Sequence, residues 1–295
     1  MELRFFDDPG EFLDAAGPVL AEQPVLSTVV ASVAGRIRDQ RAARVAWPEG
    51  VPCWFVTISE AGDLVGVAMR TAPFGDHPAY LMPMPDDAAR LLAQALLDRG
   101  EPVLSANGAL PGARVFCEHM AAATGKGARV AQHTRLFELG ELVAPRPASG
   151  SLRPARPDER ELVGSWYAAF MADADEQAGR EPGASAHESP SDEELDRRIG
   201  TGRVFVWVDP DDVPVNVTAA TEPAYGVARI GPVYTPKHER GHGYGSNAVY
   251  AVSAWLRGRG ERACLFTDQA NPTSNKIYEA LGYERLVDMA NLQLG

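Results

Sequence analysis

Arg240-Gly241-His242-Gly243-Tyr244-Gly245-Ser246 places three glycines at alternate positions. An apolar stretch that reads as a strand, 227–234, comes before it. One that reads as a helix, 245–259, follows, with Ala248, Val252, Trp255 and Leu256 on one face. Glycine turns with positive φ at little steric cost and lets its amide approach a ligand closely. Set on the positive end of a helix, such amides form an anion site suited to a pyrophosphate, and Arg240 adds a charge beside it.

Outward from this loop the pattern is that of an α/β domain. Residues 157–172 carry Leu162, Trp166, Ala169 and Phe170 at helical spacing. The run 204–208, the turn Asp209-Pro210-Asp211-Asp212 and the run 213–221 read as a hairpin leading to strand 227–234. After the helix comes a strand at 263–267. Asn271-Pro272 then opens a second helix with an N-cap residue and a first-turn proline, and Gly282 closes it. Residues 283–294 read as one or two strands.

The first half repeats this order: strands 53–58, 64–70 and 79–84, helix 86–99, strand 102–105, helix 111–123 and a strand at 134–139. Residues 24–35 read as a buried helix. Pro83-Met84-Pro85-Asp86 stands where the glycines of the second half stand. The proline-rich stretch 143–151 reads as an extended linker. The expectation is two α/β domains of one topology, 1–145 and 151–295, each a central, mostly antiparallel sheet with flanking helices, the first without the loop.

Composition narrows the functions. The 295 residues carry 40 acidic and 28 basic side chains, a formal charge of -12, which argues against nucleic acid or an anionic membrane as the partner. The N-terminus lacks the basic and apolar regions of a signal peptide. Cys53, Cys117 and Cys264 lie far apart among apolar neighbours and read as reduced thiols, so a cytoplasmic protein is expected. No G-x-S-x-G occurs, and Cys117-Glu118-His119 is too small a cluster for zinc; no metal is expected.

Three phosphate-binding designs compete for the loop. A P-loop fails, because Gly125-Lys126 has Met120 where its first glycine belongs and Gly127 where Ser or Thr belongs. A dinucleotide fingerprint is weakened by Ser246 in place of the third glycine and by residues 236–240 between strand and loop, although Asp268 at the end of the next strand keeps an NAD-binding reading open. R-x-x-G-x-G is satisfied by Arg240, Gly243 and Gly245.

With that third pattern the sequence resembles the GNAT superfamily of acyl-CoA-dependent N-acyltransferases. Arg229-Ile230-Gly231-Pro232-Val233-Tyr234-Thr235-Pro236 looks like the splayed strand of that family, and Asn271 to Tyr283 like its last motif. The resemblance is strong over 227–283, at fold level through the rest of the second half, and in element order alone for the first. It implies acetyl-CoA as cosubstrate, with Val233, Tyr234 and Thr235 facing the pantetheine and acyl group. Arg240, Gly241, His242, Gly243, Tyr244, Gly245 and Ser246 would meet the pyrophosphate. Tyr278 matches the family's general acid, protonating the departing thiolate. Asn271, Ser274 and Asn275 share its helical face on the coenzyme side.

It further implies direct attack of a primary amine, of a small molecule or a protein, in a ternary complex, with the first domain non-catalytic. Glu222, at the end of the neighbouring strand, is a candidate base. Residues 173–196 hold nine acidic side chains against Arg180 as their one lysine or arginine before 197, either a lure for a cationic amine or a solvated loop. The alternative to an enzyme is an acyl-CoA-binding sensor or interaction module. Oligomeric state stays open.

Overall fold

The computed structural model describes residues 1–177, 179, 181, 183 and 190–295. It divides into two compact units, Met1–Leu136 with Val287–Gly295, and Phe137–Leu286. Each is α/β, with one parallel strand pair among antiparallel ones.

In the first unit the order is β1 (Glu2–Phe6), α1 (Pro9–Glu22), α2 (Thr28–Ala42), β2 (Trp54–Glu60), β3 (Asp63–Arg70), β4 (Ala79–Leu81), α3 (Asp86–Asp98), β5 (Ser105–Ala109), α4 (Gly112–Thr124) and β6 (Ala128–Leu139). Asp8 starts α1 by accepting from the amides of Gly10 and Glu11. β1 to β4 pair antiparallel, and β4 runs parallel to β5 over its whole length. Phe12, Leu20 and Ile37 of α1 and α2 pack on Phe55 from one face. Leu92, Leu96, Phe116 and Met120 of α3 and α4 fill the other, around Val56, Ala68 and Leu81. Fully burying each such side chain is worth about 1.5–3 kcal/mol.

The second unit runs through β7 (Ser151–Pro154), α5 (Arg160–Gln177), α6 (Asp192–Gly200), β8 (Val204–Val208), β9 (Pro214–Ala220), β10 (Val227–Tyr234), α7 (Tyr244–Gly258), β11 (Arg262–Asp268), α8 (Pro272–Ala280) and β12 (Tyr283–Leu294). β7 to β10 pair antiparallel and β10 pairs parallel with β11. Val163, Tyr167, Leu195 and Ile199 of α5 and α6 cover one face. Val249, Val252 and Leu256 of α7 cover the other, over Phe205, Ile230 and Leu265.

Differences from the sequence reading have local causes. The stretch 143–151 is largely exposed, and hydrogen bonds hold it to the second unit, within which it falls. Val143 donates its amide to Leu281 (3.0 Å), Trp207 Nε1 donates to the carbonyl of Ser149 (2.8 Å), and Asn247 Nδ2 to that of Arg146 (2.9 Å). The strand expected at 102–105 lies at Ser105–Ala109, where Ser-Ala-Asn-Gly-Ala has no β-branched residue to announce it. The helix expected at 24–35 begins at Thr28 and runs to Ala42.

β6 and β12 both run through the division. Residues 128–136 and 287–294 belong to the first unit, where Met289–Gln293 pair antiparallel with β5, and residues 137–139 and 283–286 to the second.

Candidate active site

The second unit's parallel pair is incomplete. β10 and β11 stay in register from Val227 opposite Arg262 to Ile230 opposite Leu265, and there the pairing stops while β10 continues to Tyr234. On its other edge the register with β9 slips by one residue between Ile230 and Val233, a bulge at Gly231-Pro232. Proline has no N–H to give a ladder, and glycine there accepts a φ of 150°. Beyond the bulge β10 is tied to β9 alone.

The glycine loop follows. Gly241 has φ 87° and Gly243 φ 83°, in the left-handed region where a side chain is strained. Gly243 caps α7 without a side-chain hydrogen bond, and the first turn of α7 carries no acid, so its leading amides lack a side-chain partner. Gly245 is helical; a Cβ there would lie 3.5 Å from Thr235 Oγ1, an ordinary contact. The fold itself requires glycine at 241 and 243, while Gly245 keeps the wall thin.

Arg240 is already engaged. Its Nε donates to the carbonyl of Thr235 (2.9 Å), and its terminal nitrogen pairs with Asp173 of α5. Lys237 adds ion pairs to Asp173 (3.4 Å) and Glu176 (2.6 Å). α5 therefore supplies the loop's counter-charges.

Asn271 caps α8 by accepting from the Ser274 amide (3.0 Å), and Asn275 Nδ2 donates to the carbonyls of Asn271 (2.7 Å) and Asp268 (3.0 Å). Asn275 Oδ1 is buried without a hydrogen-bond partner. Two turns on, Tyr278 packs edge-to-face on Tyr283, their rings 6.1 Å apart. Burial pushes the Tyr278 phenol up to about 12, because a phenolate there would lose its hydration. Tyr283, hydrogen-bonded to Ser253 (2.8 Å), is raised further for the same reason.

These parts surround one cavity of about 530 Å³. Its wall includes Val233, Tyr234 and Thr235 of the β10 end, Arg240, Gly241, Gly243, Tyr244, Gly245 and Ser246 of the loop, and Asn271, Ser274 and Tyr278 of α8. His242 and Asn275 are outside it: His242 stacks on Tyr244 (5.4 Å between ring centres), and Asn275 holds the start of α8. The wall also takes Phe170, Asp173, Ala174 and Gln177 from α5, which the sequence reading left out. Their spacing of three, four and seven puts them on one helical face, the signal that would have found them.

Glu222 does not line the cavity; it meets Arg197 at 3.2 Å and is exposed. In the acidic stretch, Asp173 and Glu176 pair with the loop's basic groups. Asp192 pairs with Arg160 (2.6 Å), and Glu194 accepts from Arg197 and Arg198. Burial acts to raise Glu194, but those two guanidinium groups outweigh it and hold its carboxyl at about 2. Arg180 and Glu188 lie outside the described residues. Among the described residues no helix is long and apolar enough to cross a membrane, and no cluster of three metal-ligating side chains occurs.

Residues 215–291, which hold all of these parts except α5, match the FR47-like protein family. The chain is also similar to solved structures across nearly its full length. One is a Drosophila protein, 13% identical, with TM-score 0.64 over 99% of this chain and 98% of that one. A second is a GCN5-related N-acetyltransferase from Sphaerobacter thermophilus, 16% identical, with TM-score 0.56 over 94% and 93%. A third is a tandem GNAT protein from the clavulanic acid biosynthesis pathway, 16% identical, with TM-score 0.52 over 100% and 98%. No curated protein sequence matches. The fold is that of a tandem GNAT protein. Within it, the second unit carries the FR47-like segment, and with it the split strand, loop and tyrosine.

Proposed function

We propose that the second unit is an acyl-CoA-dependent N-acyltransferase, with acetyl-CoA the expected donor and a primary amine, of a small molecule or a protein, the acceptor. The observation that carries this reading is that one cavity joins the end of β10, the loop before α7 and Tyr278. The residues suit the coenzyme. Uncapped amides at the start of α7 and the positive-φ glycines Gly241 and Gly243 offer a pyrophosphate its donors, and β10, free of β11 beyond Ile230, offers backbone groups to an amide-bearing arm.

The thioester of the bound donor supplies an acyl group already activated toward an amine. The protein's part is then placement and polarity. Holding both reactants in one cleft contributes about 7 kcal/mol or more of barrier lowering. A backbone amide near Val233 aimed at the developing oxyanion is worth about 3 kcal/mol. Tyr278, at about 12, stays protonated at neutral pH. It is a weaker acid than a thiol of about 8.5, so its role is to donate a hydrogen bond to the sulfur as negative charge builds there. The C–S bond breaks as the N–C bond forms, and the proton given up by the attacking amine ends on the sulfur, so that CoA leaves as the thiol. Attack is direct, in a ternary complex, with no acylated residue.

A thermal-shift titration with acetyl-CoA, CoA and NAD tests the donor site. At about 100 times the dissociation constant a ligand adds about 2.7 kcal/mol of stability, and both CoA forms are expected to give it while NAD does not. Release of free CoA with a panel of amines then separates transfer from mere binding. Stabilisation without turnover on any amine leaves a sensor; no stabilisation by either CoA form rejects the reading.

A further inference from the structure

Asn216 and Thr218 are completely buried in the middle of β9, where the neighbouring positions are valine and alanine. Both face α7: Asn216 stands opposite Trp207, which packs with Tyr244 and Ala248, and Asn216 Nδ2 lies 4.0 Å from the place a Cβ on Gly245 would occupy. A buried amide is tolerated where all its hydrogen bonds are made, and these are made in one direction. Thr218 Oγ1 donates to Asn216 Oδ1 (2.9 Å). Asn216 Nδ2 donates to the carbonyl of Tyr234 (2.8 Å) and to Thr235 Oγ1 (3.1 Å).

The direction of this chain is fixed by chemistry. A carbonyl only accepts, so the atom facing Tyr234 O is the amide nitrogen, which turns the amide oxygen to Thr218. Both amide hydrogens are then used, and Thr235 Oγ1 must accept the second. The Thr235 hydroxyl proton is left without a protein acceptor among the described residues. It sits on the wall of the cavity beside the uncapped first turn of α7.

The first unit has no such chain. β2, β3 and β4 contain no asparagine, and toward α3 the β3 strand presents Gly66 and Ala68 against Ile58 and Met84. The buried polar chain accompanies the glycine loop.

We propose that Asn216 and Thr218 are positioning residues that aim the Thr235 hydroxyl as a hydrogen-bond donor at a pyrophosphate held on the α7 N-terminus. This rests on the acyl-CoA reading above. It predicts a loss that is larger for ligands that carry the pyrophosphate than for those that lack it, since a hydroxyl donated to an anion is among the stronger hydrogen bonds.

The experiment measures CoA dissociation constants by calorimetry, and turnover with acetyl-CoA against a short acyl-pantetheine thioester that lacks the pyrophosphate. Thr235→Val is expected to weaken CoA about tenfold and to lose several-fold more turnover with acetyl-CoA than with the short thioester, and Thr235→Ser to bind like the wild type. Asn216→Ala is expected to weaken CoA in the same sense but to add nothing in the Thr235→Val background, because both act through one hydroxyl. Where Asn216→Ala fails to fold, Thr218→Val, which leaves the amide in place, carries the same cycle. CoA binding by Thr235→Val equal to wild type, additive losses in the cycle, or an equal loss with the short thioester overturns the positioning role and leaves the acyl-CoA reading standing. A wild-type protein that binds no CoA overturns both.

Discussion

The two units use the same succession of strand, loop and helix to opposite ends. In the first, β4 stays paired with β5 along its length, and Leu81 and Met84 press into the space that follows. A Cβ on Gly108 would lie 2.6 Å from the carbonyl of Leu81, and one on Gly112 3.2 Å from Met84. α3 begins after Pro85 with Asp86 and Asp87 in its first turn, which satisfy the helix dipole and repel an anion. In the second unit a bulge at Gly231-Pro232 ends the pairing, and glycines and bare amides stand where the aspartates stand. Closing the strand pair makes a core; leaving it open makes a cavity.

The strongest way to break this contrast is to impose the first unit's chemistry on the second. Gly243→Val places a branched residue at φ 83° and crowds the amides. It is expected to weaken acetyl-CoA about 100-fold, or about 2.7 kcal/mol; calorimetry that still finds wild-type affinity removes the loop from the site. The reciprocal change, Gly108→Val, meets backbone at 2.6 Å and should destabilise the protein by about 2 kcal/mol. Its folded form should keep the acetyl-CoA affinity and a stoichiometry of one per chain. Two per chain in the wild type would end the contrast. The smallest effect sharpens the chemistry: Tyr278→Phe is expected to lower turnover about 10-fold with little change in melting temperature. The direction of its shift carries a pH signature. A pKa raised from 10 to about 12 keeps the phenol protonated beyond its usual range, so the wild-type rate should show no loss from this group near pH 10. An alkaline fall at that pH, absent from Tyr278→Phe, would contradict it.

Much of this was legible in the sequence because it is local. The alternate glycines, the Asn271-Pro272 start and the β8–β9 hairpin are each announced within a few residues. The strands 204–208 and 227–234 coincide with β8 and β10. Pro83 to Asp86 announced a first unit without a loop. What stayed hidden depends on pairing at a distance. The commitment of Arg240 to Asp173 brings together residues 67 positions apart. The one-residue slip that opens β10 is a matter of register, and the polar chain from Thr218 to Thr235 reads in sequence as ordinary strand residues. Glu222 illustrates the converse: its place at a strand end was legible, its partner Arg197 on α6 was not.

The route of β12 has a consequence for how the chain is made. Residues 287–294 complete the first unit by pairing with β5, although they are synthesised after all of the second. Domains ordinarily fold as units in the order they leave the ribosome; here the sheet of the earlier unit is incomplete until residues 287–294 are made. Until then, β5 presents an unpaired edge of the kind that recruits other chains. Dividing the gene at the proline-rich stretch would leave one fragment without its closing strand and the other with a strand that has lost its place.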